Sequence, residues 1–132
     1  PSGRQVLGMA DVVVLNDPIT GQGSNNASRC AESYLRSIIE QGTVDYDADF
    51  MQSTFETYWD YAQHVTKWTN ALLAPPPEHV VQLLGAASQN EAIAQRFVNG
   101  FDNPADFEDW FLDPDKAAAY LEQVAEPAAS AG

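Results

Sequence analysis

The amino-acid sequence predicts a mostly α-helical fold, a bundle of about five or six helices with one short amino-terminal extended segment. Apolar residues recur every three or four positions over most of the chain, which is typical of helices with one buried face. Prolines and glycines fall between these periodic stretches, where they begin or end helices. A β-branched run occurs only near the start, so we expect no strand beyond it.

The first elements follow from this pattern. Residues 5–15, rich in valine, are expected to be extended, and Pro18 lies in the turn after them. A helix is predicted over 24–41 with one buried face, ended by Gly42. The longest periodic segment, 46–74, predicts a long aromatic-faced helix with Asp47 as its N-cap and Pro75 beyond its end.

The second half contains shorter helices. Residues 78–84 predict a helix that stops near Gly85. Ser88 and Glu91 have the spacing of a capping box for the next helix, which Gly100 closes. Two dipeptides, Asn103-Pro104 and Asp113-Pro114, repeat one start signal, an N-cap residue followed by proline. We therefore expect a single helical unit over 1–126, with 1–26 as its strand-loop-helix part, 27–126 as its helical region, and a disordered tail over 127–132.

Composition excludes several classes of function. The 132 residues suffice for one modest domain, and 45% of them are hydrophobic, in the range of globular proteins. The formal net charge of −13 repels phosphate backbones and anionic lipids, so neither nucleic acid nor a membrane is expected as a partner. A single cysteine and the absence of a signal-peptide pattern favour a cytoplasmic location.

The stretch around which function is expected is DPITGQGSNN, residues 17–26. A turn with two nearby glycines that opens a helix presents free backbone N–H groups at one point. The helix dipole adds partial positive charge there, so the point suits an anionic or electron-rich planar ligand.

Other interpretations of this stretch are weaker or less specific. Asn26 replaces the third glycine of a dinucleotide-binding loop, and no Lys-Ser or Lys-Thr follows as a P-loop requires. A glycine-rich turn that only caps its own helix is the structural alternative. In that case the chain would be a non-enzymatic helical interaction module.

Metal and catalytic sites find no support in the sequence. His64 and His79 stand on separate predicted helices without a ligand partner at a suitable spacing. Cys30 has no paired base and is interpreted as a buried hydrophobic residue. The aspartates at 45, 47 and 49 lack the glycine and glutamate of a calcium loop. We assign no catalytic residue and no metal ligand.

The stretch ADVVVLNDPITGQGSNNAS, residues 10–28, resembles the second flavin-binding motif of the FAD-dependent aromatic monooxygenases. In that family a Gly-Asp pair precedes Pro and then Gly-Gln-Gly-x-Asn at a helix start. The match in detail is to the oxygenase component of styrene and indole monooxygenases. Ala10 stands where the motif has glycine, and Asp11 on the motif's aspartate.

The resemblance implies a role for each matching residue toward FAD. Asp11 would bond the ribityl chain, and Pro18 would lie by the reactive edge of the isoalloxazine ring. Gly21, Gln22 and Gly23 would pass along the ring, while the N–H groups of Ser24 and Asn25 would point at N1 and the C2 carbonyl. A helix amino end stabilises the negative charge of reduced flavin there.

The resemblance also implies the activity. The chain would be the C-terminal part of a larger α/β flavoprotein that epoxidises or hydroxylates a small apolar aromatic, such as styrene or indole, through a flavin hydroperoxide. Its partners would be the missing N-terminal FAD-binding domain, an NADH-dependent flavin reductase and the aromatic substrate. The fragment by itself would be inactive, and its exposed apolar patch would favour self-association, with a homodimer as one form.

Overall fold

The computed structural model describes residues 5–125 and shows five α-helices in this range. They are α1 (Gly23–Gln41), α2 (Ala48–Leu73), α3 (Glu78–Ala87), α4 (Glu91–Asn99) and α5 (Pro114–Ala125). Short 3₁₀ helices cover Ala10–Val12, Pro18–Thr20 and Pro104–Asp109. The mostly helical fold class is confirmed. The tail predicted over 127–132 lies outside the described residues.

The amino-terminal segment has extended backbone but no strand within 5–15. Met9 has extended dihedral angles, and a 3₁₀ turn follows in which the amides of Val13 and Val14 donate to the carbonyl of Ala10. A strand needs a neighbouring strand for its N–H and C=O groups, and none is present among the described residues. The backbone N–H groups of Val13 and Val14 therefore form hydrogen bonds within a local turn. This turn replaces the strand that their β-propensity predicted.

The first two helices agree with the predicted limits to within two residues. Gly42, at φ +63°, ends α1 and donates its N–H to the carbonyl of Ile38. The Asp47 carboxylate accepts from the amide of Phe50 at 2.9 Å, so Asp47 caps α2 as predicted. The buried face of α1 is narrower than its apolar pattern predicts. Cys30 and Tyr34 are buried, while the apolar Leu35, Ile38 and Ile39 remain exposed.

Two of the predicted boundaries in the second half are wrong. Helix α3 runs through Gly85 to Ala87, because an isolated glycine lowers helix stability without ending a helix. Ser88 is no N-cap: its hydroxyl donates back to the carbonyl of Gly85 at 2.7 Å. The cap of α4 is Asn90, whose extended backbone lets its side chain accept from the amides of Ala92 and Ile93.

The two Pro-containing start signals give different results. Asp113 caps α5 by accepting from the amides of Asp115 and Lys116, as predicted. Asn103 makes no side-chain cap, and the segment after it is the 3₁₀ helix Pro104–Asp109. Gly100, which ends α4 as predicted, lies so close to Phe107 that a Cβ there would be 2.3 Å from the ring. The ring therefore packs directly on backbone.

The contacts divide the chain into two compact units, Pro1–Thr69 and Asn70–Gly132, whereas the sequence predicted a single unit over 1–126. The boundary falls inside α2, which the sequence pattern shows only as one continuous helix. That the two units behave as one cooperative domain stays a prediction. We call them the amino-terminal and the carboxy-terminal unit.

Each unit has its own core. In the amino-terminal unit, buried side chains of α1 and α2 pack with the entry segment, namely Val14, Cys30, Tyr34, Tyr58 and Ala62. In the carboxy-terminal unit α3 packs against α4 and α5, and the buried residues include Leu83, Ile93, Phe107, Trp110 and Phe111. Within residues 5–125 we find no helix of the length and apolarity that a membrane span requires.

The carboxy-terminal unit contains a polar cluster that we call the Asp106 clasp, formed by Arg96, Asp106, Trp110 and Tyr120. The Asp106 carboxylate accepts from Nε and Nη2 of Arg96 at 2.9 and 2.8 Å and from Nε1 of Trp110 at 2.9 Å. The Arg96 guanidinium lies 5.2 Å from the Trp110 ring and 4.8 Å from the Tyr120 ring. Hydrogen bonding to Arg96 lowers the pKa of Asp106.

Candidate functional site

The candidate site is the amino end of α1, where the chain turns sharply into the helix. Gly21 has φ +65°, a left-handed conformation that only glycine adopts without cost, and the helix begins at Gly23. The first helical hydrogen bond runs from the amide of Asn26 to the carbonyl of Gln22 at 2.8 Å. The side chain of Gln22, the N-cap residue, makes no capping bond. The first-turn amides therefore point out of the helix end, where the dipole is positive.

The surface in front of this helix end is open. A Cβ placed on Gly21 or Gly23 would meet no atom within 4 Å. Pro18 and Ser24 are exposed on either side of the two glycines. A flat group could therefore approach the main chain closely along this stretch, which is the arrangement that a planar ring requires.

The turn before α1 is fixed in place by side-chain hydrogen bonds. The Asp17 carboxylate accepts from the amide of Ile19, and the buried Thr20 hydroxyl pairs with the Thr69 hydroxyl of α2 at 2.9 Å. Gln22 is buried, and its side-chain oxygen accepts from Nδ2 of Asn25 at 3.1 Å. The turn is therefore preorganised, and the buried Gln22 side chain orients Asn25.

Asp11 lies beside α1, away from the helix end. The amide of Ala10 donates to Sγ of Cys30 at 3.4 Å, and the Tyr34 hydroxyl donates to the carbonyl of Gly8 at 2.9 Å. These bonds hold the 3₁₀ turn against α1, with the Asp11 side chain exposed. Cys30 is seven positions beyond Gly23, about 10 Å along the helix axis. The structure thus brings Gly21 to Asn25 together and places Asp11 at one side of them.

Ala10 has φ +51°, in the left-handed region. A residue with a Cβ pays about 1–2 kcal/mol for this conformation, and glycine does not. Glycine, which the motif that this stretch resembles has at this position, would remove this cost. The turn that displays Asp11 therefore carries backbone strain in this chain.

Asn26 lies within the stretch 17–26, but the sequence analysis gave its side chain no role. Its side chain is 1% exposed, and neither its Nδ2 nor its Oδ1 has a hydrogen-bond partner among the described residues. Buried polar groups are nearly always paired, so an unpaired amide in the first turn of α1 is a functional signal. The sequence feature that could have pointed to Asn26 is the pair of adjacent asparagines at the helix start, because a cap needs only one.

The hydroxyl of Tyr58 lies in the same unit as these residues. Burial, together with smaller contributions from the neighbouring Cys30 and Asp11, raises the pKa of Tyr58 to about 12. Burial likewise raises the pKa of Tyr34 above its usual range. Both phenols are therefore neutral donors at physiological pH. Within residues 5–125 no group of three or more histidine, cysteine, aspartate or glutamate residues is placed to hold a metal ion.

Comparison with known proteins finds two similar sequences. The protein named styrene monooxygenase StyA of Pseudomonas fluorescens is 31% identical over 128 residues, which is 94% of this chain. The chain is a relative of styrene monooxygenase. A second StyA, of Pseudomonas sp, is 30% identical over 128 residues. The chain spans about 30% of the length of these relatives. No protein-family model matches the chain.

This relationship confirms the resemblance to styrene monooxygenases that the motif carried. The alignment extends over most of the helical remainder and is too long to leave out residues 17–26. The open helix end therefore lies within the part of the chain that styrene monooxygenases share.

Proposed function

We propose that the chain is the part of a two-component, FAD-dependent monooxygenase that holds the isoalloxazine and ribityl portion of the cofactor. The observation that carries this proposal is the open amino end of α1, with no capping side chain from Gln22 and open space at Gly21 and Gly23. The sequence relationship to styrene monooxygenase supports it.

The residues present suit this half of FAD. In this proposal the amides of Ser24 and Asn25 would donate to N1 and the C2 carbonyl of the ring, and the helix dipole would stabilise negative charge there. The exposed Asp11 carboxylate has only acceptors and would receive hydroxyl protons of the ribityl chain. The unpaired Asn26 amide offers both a donor and an acceptor in the same first turn.

We propose a small apolar aromatic of the styrene or indole type as the substrate, which is epoxidised or hydroxylated. The bound flavin supplies the oxidant, for which the family resemblance implies a flavin hydroperoxide. The chain's own residues hold and orient the cofactor, and Pro18 would shape the edge of the site. No side chain of this chain is assigned as an acid, base or nucleophile.

The partners follow from the same proposal. An FAD-binding domain elsewhere in the same polypeptide would complete the site, and an NADH-dependent flavin reductase would supply reduced FAD. The exposed apolar side chains of α1 favour the first of these, since Leu35 is 58% and Ile39 is 68% exposed. The chain by itself would be inactive.

Asp11 provides the test of this function. In the complete polypeptide, Asp11→Ala is expected to raise the dissociation constant for FAD about 10-fold, because it removes charge-assisted hydrogen bonds. Asp45→Ala is the matched control, since Asp45 is an exposed carboxylate after α1, and it should leave the constant unchanged. Titration followed by flavin fluorescence measures both.

Two results would count against the proposal. Equal FAD affinity of the Asp11 and Asp45 variants would remove Asp11 from the site. A complete polypeptide that binds no FAD would favour a helical interaction module, in which the Gln22–Asn25 hydrogen bond only stabilises a turn.

A further inference from the structure

A groove between α1 and α2 lies outside the residues assigned to the flavin. It has a volume of about 280 Å³ and is lined by Arg29, Glu32, Ser33, Arg36, Thr57, Tyr58 and Tyr61. All of these residues belong to the amino-terminal unit. From its charge, its buried hydroxyls and its aromatic wall, we propose that this groove binds a small organic monocarboxylate. The proposal is independent of flavin binding.

Two buried hydroxyls that line the groove have no hydrogen-bond partner among the described residues. Tyr58 is 1% exposed, and its hydroxyl has no hydrogen-bond partner among the described residues. Ser33 Oγ is also buried and without a partner in that part of the chain. Such groups are costly unless something accepts or donates a proton to them. A small rotation of either side chain toward the groove would let its hydroxyl donate to a ligand carboxylate.

The charge of the groove favours a monoanion. Two guanidinium groups and the Glu32 carboxylate leave one net positive charge, in a chain whose formal net charge is −13. A planar guanidinium matches a carboxylate in two parallel hydrogen bonds. The Glu32 carboxylate would repel the second charge of a phosphate dianion, so a carboxylate fits better.

Arg36 is available to a ligand at little cost. It pairs with Glu32 at 2.6 Å, but their side chains are 72% and 51% exposed. Ion pairs this exposed contribute little to stability. Exchanging part of this pair for a ligand carboxylate is therefore nearly neutral for the fold.

The remaining wall suits a flat apolar body. The Arg29 guanidinium lies 5.5 Å from the centroid of the Tyr61 ring, so a cation and an aromatic surface stand side by side. The volume of about 280 Å³ is at the lower limit of ligand pockets. A single ring with one carboxylate is the kind of ligand that this groove can hold.

Calorimetric titration of the full chain with benzoate, benzamide and inorganic phosphate tests the proposal. Benzoate should bind about 10-fold more tightly than benzamide, which has the same shape without the charge. It should also bind more tightly than phosphate. Arg29→Gln should weaken benzoate binding about 10-fold. Lys67→Gln, which removes one positive charge of α2 outside the groove, should leave it unchanged.

A second variant separates the hydroxyls from the charge. Tyr58→Phe keeps the ring and should weaken benzoate binding about 5-fold. If that variant does not fold, Ser33→Ala is expected to show a loss of similar size. Absence of benzoate binding, equal affinity for benzamide, tighter binding of phosphate, or benzoate binding unaffected by Arg29→Gln would each overturn the proposal.

Discussion

The two units differ in whether their partly or fully buried polar groups have hydrogen-bond partners. In the carboxy-terminal unit, the carboxylate of the Asp106 clasp accepts three hydrogen bonds, and its guanidinium lies over two aromatic rings. In the amino-terminal unit Asn26, Thr54 and Tyr58 are buried with polar atoms that have no hydrogen-bond partner among the described residues. His79 Nε2 is a comparable atom near the start of the carboxy-terminal unit.

This difference indicates a division of roles. A paired polar cluster stabilises a fold, whereas unpaired buried groups lower stability unless a ligand or another part of the polypeptide completes them. Both candidate sites, the amino end of α1 and the groove between α1 and α2, lie in the unit with the unpaired groups. The carboxy-terminal unit contains the Asp106 clasp and neither candidate site.

The largest effect is expected in the Asp106 clasp. Asp106→Asn removes the charge that accepts from Arg96 and Trp110, and the free energy of unfolding should fall by about 2 kcal/mol. Chemical denaturation followed by tryptophan fluorescence measures this change.

The control for Asp106 is Asp109→Asn. Asp109 is 72% exposed and lies 3.6 Å from Lys116, so its loss should change stability by less than about 0.5 kcal/mol. Equal effects of the two substitutions would show that the clasp stabilises nothing and would remove the contrast between the units.

The clasp also predicts a pH dependence. Arg96 lowers the pKa of Asp106 in the folded chain, so the folded state binds this proton less readily than the unfolded state. The stabilisation is complete above the unfolded aspartate pKa of about 3.9 and is lost as pH falls through the lower folded value. The stability difference between the wild type and Asp106→Asn should therefore shrink below about pH 4. A constant difference would contradict the assigned partner.

A smaller effect with opposite signs is expected from two threonines of α2. Thr54→Val removes a buried hydroxyl without a hydrogen-bond partner in the described part of the chain and should stabilise the fold by about 1 kcal/mol. Thr69→Val removes a hydroxyl that pairs with Thr20 at 2.9 Å and should destabilise it by about 1 kcal/mol. Thermal denaturation of both variants is the measurement, and a loss of stability in both would refute the unpaired state of Thr54.

Local sequence signals predicted a helix boundary correctly where a single residue decides it. Gly42 ends α1 because its left-handed φ stops the helix, and Asp47 begins α2 because its carboxylate reaches the amide of Phe50. Ser88 misled the prediction because α3 continues past Gly85 and uses the serine hydroxyl in its own last turn. A glycine that lacks a positive φ need not end a helix, and the sequence does not show which φ a glycine adopts.

Contacts between distant residues were beyond the reach of sequence spacing. Arg96 and Asp106 are ten positions apart on different elements, and Thr20 and Thr69 are 49 apart. The positive φ of Ala10 and the burial of Asn26 likewise depend on packing that no local pattern encodes. The motif singled out Asp11 and Gly21 to Asn25, and their roles toward FAD stay a prediction.

The central claim is that the open amides at the amino end of α1 hold the flavin ring. Titration of FAD into the isotope-labelled complete polypeptide, followed by amide chemical shifts, tests it most directly. We predict that the largest shifts fall on Gly23, Ser24 and Asn25, with a smaller one at Asp11 and none in the Asp106 clasp. Saturable FAD binding that leaves the amides of residues 21–25 unshifted would contradict the claim.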